Sequence, residues 1–169
     1  MKTILDSQQL QITVQRLSHQ LIEDHGDFSN TALIGIQPRG IYLADKIVDH
    51  LRKIHPPFNI HYGKLDITFY RDDVRKELHI PNQTDIPFTI EDRKVILVDD
   101  VLFTGRTIRA ALDALLAFGR PEKVQLCVLI DRRYSRQLPI QPDYCGKSID
   151  SIISEKVKVD WVKEEVVLF

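Results

Sequence analysis

Two adjacent carboxylates, Asp99 and Asp100, lie between a run of aliphatic residues and a turn of small residues. The run, Val95–Val98, has no polar alternation, which is typical of a strand buried on both faces of a parallel sheet. The turn, Thr104–Thr107 (TGRT, here the phosphate turn), is followed by apolar residues at helical spacing. The sequence therefore predicts a strand, an acidic pair, a turn and a helix in direct succession.

The order of these segments suits a sugar phosphate. Ligands of open α/β sheets bind beyond the carboxyl ends of the strands, and the N–H groups at a helix N-terminus attract phosphate. Arg106 and the hydroxyls of Thr104 and Thr107 add donors, while the carboxylates are acceptors for ribose hydroxyls or ligands for Mg²⁺. We therefore expect a ribose 5-phosphate site. It is not a P-loop, because the spacing GxxxxGK[ST] is absent from the sequence.

A second strand, turn and helix occur earlier in the chain. Thr31–Ile36 reads as a buried strand, Gln37–Gly40 as a turn containing a cation, and Ile41 begins another helical pattern. Pro and Gly mark ordinary turns as well. Because this turn also follows a strand, however, we interpret it as a second ligand loop at the same edge of the sheet.

Several segments together resemble the PyrR family of type I phosphoribosyltransferases. Val95–Thr107 is similar to the signature that binds phosphoribosyl diphosphate (PRPP), and three further segments match PyrR in the same order along the chain. These are Gly35–Ile41 (GIQPRGI), Leu65–Asp73 (LDITFYRDD) and Asp143–Lys147 (DYCGK). The resemblance implies conversion of uracil and PRPP to UMP and diphosphate, together with UMP-dependent, RNA-binding regulation of the transcription of pyrimidine biosynthesis genes.

The resemblance also implies a fold. We expect one α/β domain over residues 1–169: a mostly parallel, twisted sheet flanked by helices, the type I phosphoribosyltransferase fold. Its N-terminal helix should span 7–24, its core about 25–132, and a small C-terminal hood about 133–169. Within the core, Asn59–Tyr70 has the pattern of a long strand.

Roles for individual residues follow from the resemblance. The acidic pair would bind the ribose hydroxyls, and Mg²⁺ would bridge PRPP oxygens, with the same two carboxylates as candidate ligands. Arg71 would contact the diphosphate as a catalytic residue, at the start of a long loop that closes over it. Arg39 and Gly40 would complete the diphosphate site. The 5-phosphate would be held by Thr104, Gly105, Arg106 and Thr107.

The base site is also implied by the family. Phe103 stands where related purine transferases place an acid that takes a proton from the base, and uracil N1–H is acidic enough to need such a group less. This favours a pyrimidine. Asp131 and Lys147 are the expected contacts near the hood.

The N-terminal helix carries Arg16 and His19 on one side, at positions that match the RNA-contacting helix of PyrR proteins. A solvated helix face is the other interpretation. If RNA binds, it would be a pyrimidine-operon leader, and further cations should share the face. The candidates are Arg132, Arg133, Arg136 and Lys147.

Composition and length narrow the class of protein. The chain has 169 residues, a net charge of −1 and two cysteines, so a disulfide framework and an obligate, strongly basic nucleic-acid binder are both disfavoured. The sequence contains neither a signal peptide nor an apolar segment of membrane length, and we expect a cytoplasmic protein without a membrane partner. The family implies a homo-oligomer, a dimer or larger.

Three alternatives remain at this stage. The chain could be an RNA-binding attenuator that senses UMP with little catalysis, or a phosphoribosyltransferase that acts on another base. It could also be a receiver-type signalling domain, because VILVDD resembles a strand with a phosphoacceptor-site acidic pair. Receivers carry that pair near the N-terminus, and the phosphate turn would then have no role.

Overall fold

The computed structural model describes residues 1–54, 59–72 and 83–169. Its elements alternate between strands and helices in the first two thirds of the chain and are strands alone in the last third. In chain order they are β1 (Lys2–Leu5), α1 (Ser7–His25), β2 (Thr31–Ile36), α2 (Gly40–Ile54), β3 (His61–Leu65), a 3₁₀ turn (Thr68–Tyr70), β4 (Lys94–Leu102), α3 (Arg106–Leu115), β5 (Lys123–Arg133), β6 (Tyr144–Asp150), β7 (Val157–Asp160) and β8 (Glu165–Leu168).

The large sheet has five parallel strands in the order β3-β2-β4-β5-β6. Every residue of β2 is buried, as expected for a central parallel strand that is covered on both faces. β2 and β4 pair directly, from Thr31 opposite Lys94 to Gly35 opposite Val98. The two predicted ligand loops therefore leave neighbouring strands at the same edge of the sheet.

The helices cover opposite faces of this sheet. Successive strand residues point to opposite faces, and they divide between two cores. Leu33 and Ile96 belong to the core that α1 and α2 complete, whereas Ile34 belongs to the core that α3 completes. The chain thus leaves β2 towards one face and β4 towards the other, which opens a crevice between the two strand ends.

The small sheet consists of three antiparallel strands in the order β1-β8-β7. The connection between β7 and β8 packs against the helices of the first core. Glu164 accepts hydrogen bonds from Gln11 on α1 and from Lys46 on α2, and the Trp161 ring stacks on Tyr42 with 6.2 Å between centroids. These contacts fix the small sheet beside the N-terminal half of α2, near the crevice.

The structure differs from the expected hood boundary at 133. β6 extends the large sheet as its fifth strand, and the N-terminal strand β1 joins the small sheet. Both differences come from strand pairing over long sequence distances: Lys2 lies opposite Leu168, and Ile130 lies opposite Lys147. Local sequence patterns do not report such pairing.

The expected strand over Asn59–Tyr70 is shorter. Only His61–Leu65 forms a strand, and a 3₁₀ turn over Thr68–Tyr70 follows it, with the Thr68 hydroxyl donating to Asp66 Oδ1 at 2.7 Å. Part of the predicted long loop, residues 73–82, lies outside the described residues. The following residues pack on β3, where the Asp85 and Lys64 backbones exchange hydrogen bonds.

Among the helices in the described part of the chain, none combines the length and the apolar character that crossing a bilayer would require.

Candidate active site

A cleft of about 370 Å³ lies in the crevice between the ends of β2 and β4. Most of the residues predicted to bind a ribose phosphate line it, although Gly40 is not among them. The lining residues are Ile36–Arg39, Arg71, Asp99–Ile108, Arg132, Gln137 and Val157. The location agrees with the rule that open α/β sheets bind ligands where the strand connections change direction.

The two carboxylates form part of the cleft and are more buried than their predicted position at a strand end suggested. β4 continues to Leu102, so Asp99 and Asp100 lie within the strand and are 7% and 4% exposed. The strand is longer because β5 pairs with it as far as Leu102 opposite Asp131, beyond the end of β2. The sequence predicted that both acids follow the strand, where exposure to solvent is usual, and the structure shows them buried within it.

Burial gives the acidic pair an unusual protonation behaviour. Burial, and then the negative charge of Asp100, raise the pKa of Asp99 well above its ordinary value. Burial raises the pKa of Asp100 as well, although the charge of Arg39 opposes this rise. Ionising both acids without a ligand is therefore costly. A ligand that donates hydrogen bonds or brings a cation would stabilise the ionised form.

Gly40 allows the first turn of α2 to lie directly against β4. A Cβ atom at this position would lie 2.4 Å from the Val98 carbonyl oxygen and 3.1 Å from Asp99 Cα. In the loop before α2, the peptide between Gln37 and Pro38 is cis. The backbone at Gly40 therefore approaches Val98 and Asp99 so closely that no room is left for a side chain.

The phosphate turn opens α3. Gly105 has a φ of 94°, in the region that favours glycine, and α3 begins at Arg106. The Thr104 hydroxyl accepts a hydrogen bond from the Arg106 N–H at 3.3 Å. On the other side, Arg71 Nη1 donates to the Thr107 hydroxyl at 3.3 Å. The turn and the predicted diphosphate contact are thus adjacent.

The Arg106 side chain already has partners. Its Nε donates to Gln137 Oε1 at 2.8 Å, and its Nη1 pairs with Asp72 at 2.9 Å. Arg109 pairs with the same carboxylate oxygen at 2.8 Å. These contacts join the residue after Arg71 to the first turn of α3. Sequence spacing did not point to Arg109 because Asp72 lies more than thirty residues away.

Arg132 forms the opposite wall of the cleft. Its guanidinium carbon lies 3.9 Å from the centroid of the Phe103 ring. Its Nε donates to the Ser151 hydroxyl, and its Nη2 donates to the Ile152 and Glu155 carbonyls, all at 2.9 Å. Among the described residues, none accepts a hydrogen bond from Nη1. Sequence reasoning placed Arg132 on an RNA-binding face and missed this position.

The family of the chain follows from comparison with known proteins. Residues 1–164 match the family model of the phosphoribosyl transferase domain. The chain is 47% identical over 161 residues to bifunctional protein PyrR of Bacillus subtilis, which covers 92% of this chain and 87% of that protein. It is 48% identical over 159 residues to bifunctional protein PyrR of Deinococcus deserti, which covers 93% and 86%. The chain belongs to the PyrR family of phosphoribosyltransferases.

Solved structures confirm the predicted fold. A hypoxanthine phosphoribosyl transferase of Trypanosoma cruzi matches with a TM-score of 0.73 and 16% identity, over 99% of this chain and 90% of that one. A hypoxanthine phosphoribosyltransferase of Staphylococcus aureus matches with 0.70 and 20%, over 90% and 80%. The strand order of the large sheet also occurs in receivers. Membership of the PyrR family, rather than topology, therefore removes the receiver alternative.

Two residues that the PyrR resemblance led us to expect at the base site lie elsewhere. Asp131 is 8% exposed and pairs with Arg136, outside the cleft lining. Lys147 lies on β6, and its Nζ donates to the Ile4 carbonyl of β1 at 3.0 Å. Since consecutive residues of a strand face opposite ways, Arg132 faces the cleft and Asp131 does not.

The cations expected on one PyrR-like RNA face are divided. Arg132 and Arg136 point into the protein, so their assignment to that face was wrong. Arg133 forms an exposed pair with Asp150 at 2.7 Å. Arg16 donates to the Cys145 carbonyl at 3.3 Å and also to the Gly146 carbonyl, beside Lys147.

Replacing Gly40 with alanine should destabilise the protein, because the added Cβ would meet the Val98 carbonyl oxygen, a backbone atom that cannot move away. We expect a loss of about 1–3 kcal/mol in the free energy of unfolding, measured by urea denaturation. Gly35→Ala is the matched control, since its Cβ would lie no closer than 3.1 Å to its neighbours. An equal or larger loss for Gly35→Ala would contradict the close approach at Gly40.

The buried acids should make the ligand-free protein less stable as pH rises. Their pKa values are raised in the folded state. Their contribution to the free energy of unfolding is therefore fully present below their pKa in the unfolded state, near 4. It is lost as the pH rises through their pKa in the folded state. For each of these groups, the free energy of unfolding can fall by up to about 1.4 kcal/mol per pH unit.

The double variant Asp99→Asn, Asp100→Asn should lack this slope and gain stability relative to the native protein between pH 4 and 8. Asp99 accepts a hydrogen bond from the Asp100 N–H, and Asp100 accepts one from the Val101 N–H. The side-chain oxygen of asparagine can accept the same two bonds. Urea denaturation across this pH range measures the difference. Parallel curves for the two proteins would show that the acids are not the cause.

Proposed function

We propose that the protein transfers ribose 5-phosphate from PRPP to N1 of uracil, giving UMP and diphosphate. The main support is the buried acidic pair beside the phosphate turn. The same cleft is lined by the aromatic ring of Phe103, at the position where related purine transferases have an acid. The relatives named bifunctional protein PyrR support this assignment. In the reaction the N1–C1′ bond forms and the bond from C1′ to diphosphate breaks, while the N1 proton leaves with diphosphate or to water.

The ribose phosphate would lie between two kinds of group. Asp99 and Asp100 accept hydrogen bonds from the ribose hydroxyls, which stabilises their ionised form. Their charge then favours the positive ring carbon that develops as diphosphate leaves. The N–H groups and hydroxyls of Thr104–Thr107, at the start of α3, bind the 5-phosphate. Holding both ends of the sugar positions C1′ for attack by the base.

The leaving group would contact the other side of the cleft. Arg39 follows β2, and the glycine at position 40 allows the backbone to approach β4 closely. Arg71 lies beside Thr107 and can reach the same region. Two guanidinium groups would stabilise the charge that accumulates on diphosphate.

The donor set of the cleft fits a magnesium ion bound with substrate. Among the described residues, no cluster of three or more His, Cys, Asp or Glu side chains could hold a metal alone. Mg²⁺ in phosphate-transferring sites is commonly bound by one or two carboxylates together with substrate phosphates and waters. Asp99 and Asp100, whose pKa values burial raises, are the residues that would hold it. When bound, Mg²⁺ neutralises the charge of diphosphate.

The base would lie beside Phe103 and Arg132, which line the cleft and contact each other. Arg132 Nη1 is a permanent donor on a residue that lines the cleft, and a carbonyl oxygen of uracil is a suitable acceptor. Phe103 supplies an apolar surface and cannot accept the N1 proton. A base that needs an acidic partner at that point, such as a purine, is therefore disfavoured.

Initial-rate assays with radiolabelled bases should show UMP formation from uracil and PRPP, dependent on Mg²⁺. Hypoxanthine and guanine should react more slowly, because a purine would need the acid that Phe103 replaces. Orotate should react more slowly because it carries a carboxylate next to N1 that uracil lacks. The Asp99→Asn, Asp100→Asn variant should fold and lose transfer, by analogy with sites that depend on electrostatic positioning. Faster turnover of a purine than of uracil would refute the assignment.

We also propose a second function, UMP-dependent binding of pyrimidine-operon leader RNA. Two findings favour it: the relatives are named bifunctional, and Arg16 and His19 are exposed on α1. Arg16 contacts the Gly146 carbonyl, which places it near the exposed Lys147. These residues would form a smaller basic surface than the sequence predicted, since Arg132 and Arg136 face inward.

Filter binding of leader RNA at two salt concentrations should show tighter binding with UMP. Arg16→Gln should weaken binding and reduce the salt slope by about one, the amount expected for one phosphate contact. Arg120→Gln, which removes an exposed cation after α3, should change neither quantity. RNA affinity that changes neither on addition of UMP nor in the Arg16→Gln variant would contradict this second function.

A further inference from the structure

A loop after β5, residues 136–140, packs against the phosphate turn. We propose that Arg136 is a positioning residue for the 5-phosphate. It does not touch substrate, but it holds this loop against Phe103–Arg106 so that the turn keeps its anion-binding shape. The proposal rests on the proposed function, in which the turn binds the 5-phosphate.

All three guanidinium nitrogens of Arg136 are used. Nη2 donates to Asp131 Oδ1 at the end of β5, and Nη1 donates to the Phe103 carbonyl, directly before the phosphate turn. Nε donates to the Ile140 carbonyl at 2.8 Å, within its own loop. One side chain thus ties the large sheet, the residue before the turn and the loop to each other.

The loop in turn contacts the backbone of the phosphate turn. The N–H groups of Gln137 and Leu138 both donate to the Thr104 carbonyl, at 2.9 and 3.2 Å. A carbonyl held in this way cannot rotate towards a bound phosphate, which it would repel. Gln137 Oε1 also accepts a bond from Arg106 Nε at 2.8 Å, so the loop fixes the side chain of the turn's cation as well.

Close packing completes the contact. A Cβ atom at Gly105 would lie 3.1 Å from Ile140 Cγ1 and 3.4 Å from Leu138 Cβ. The turn can therefore adopt its positive φ beneath the loop only with glycine at this position. Displacing the loop would remove both the hydrogen bonds to Thr104 and this packing.

The charge of Arg136 is matched inside the protein. Its side chain is 21% exposed and that of Asp131 is 12% exposed. A partly buried pair of this kind is costly to break, because the remaining charge is left without a partner. This pairing gives Asp131 a role in holding the phosphate turn, in place of the base contact that the sequence led us to expect.

The test compares the affinities of UMP and uridine, which differ only in the 5-phosphate. Calorimetric titration of the native protein should show a preference for UMP. Arg136→Met should reduce that preference by about tenfold, the equivalent of losing one charge-assisted contact, while the uridine affinity changes little. Arg133→Met, which removes an exposed guanidinium from the same segment, is the matched control and should leave both affinities unchanged.

Each result separates the possibilities. Equal binding of UMP and uridine by the native protein would refute the proposed function itself. A native preference that Arg136→Met leaves intact would overturn the positioning role. Equal weakening of both ligands would overturn it too, since that indicates general damage to the cleft.

Asp131→Asn gives a second measurement that does not depend on the folding of Arg136→Met. If Asp131 holds Arg136, this variant should lower the preference for UMP over uridine. If instead Asp131 contacts the base, both ligands should weaken equally, and the inference would be overturned. Arg136→Lys, which keeps the charge but cannot make all three bonds, should give an intermediate preference for UMP.

Discussion

The parallel pairing of β2 with β4 is the constraint on which the rest of the site depends. Since these neighbouring strands end at the same edge and their helices cover opposite faces, the chain must separate there. The separation creates a crevice whose two sides are the loop before α2 and the phosphate turn before α3. Both sides present the N-terminus of a helix, and anions bind favourably at helix N-termini.

Buried carboxylates complete this arrangement at a cost in stability. Asp99 and Asp100 lie inside a strand, close to the first turn of α2, with Arg39 as a nearby cation. In the absence of ligand, burial favours their neutral forms. A ribose that donates hydroxyl hydrogen bonds, or a bound cation, compensates for that burial. The same feature that weakens the ligand-free protein therefore strengthens the binding of a sugar phosphate.

Sequence patterns predicted the parts of the fold that depend on local order. The bounds of β2, Thr31–Ile36, agree with the buried aliphatic run, and the acidic pair and the phosphate turn do meet in one cleft. The patterns missed the length of β4, because its last residues pair with β5 and not with β2. They also missed β1, whose partner strand is at the other end of the chain.

Side-chain direction was the main source of error in the site. The basic segment after β5 looked like one exposed patch in the sequence. In the structure Arg132 lines the cleft, Arg133 is exposed, and Arg136 folds back to Asp131. β5 continues to Arg133, so Arg132 and Arg133 point to opposite faces of the sheet. Arg136 follows in the turn, and the three cations therefore lie in three different environments. The boundary of β5 decides the outcome, and boundaries depend on tertiary pairing.

A crystal structure of the protein with UMP bound would test most directly whether the acidic pair and the phosphate turn hold one ribose 5-phosphate. We expect the ribose hydroxyls within hydrogen-bonding distance of Asp99 and Asp100. The 5-phosphate should contact the backbone N–H groups of Thr104–Thr107, and the uracil ring should lie beside the stacked Phe103 ring and Arg132 guanidinium. A nucleotide whose phosphate lies away from the turn, or whose ribose does not contact either carboxylate, would contradict this description of the site.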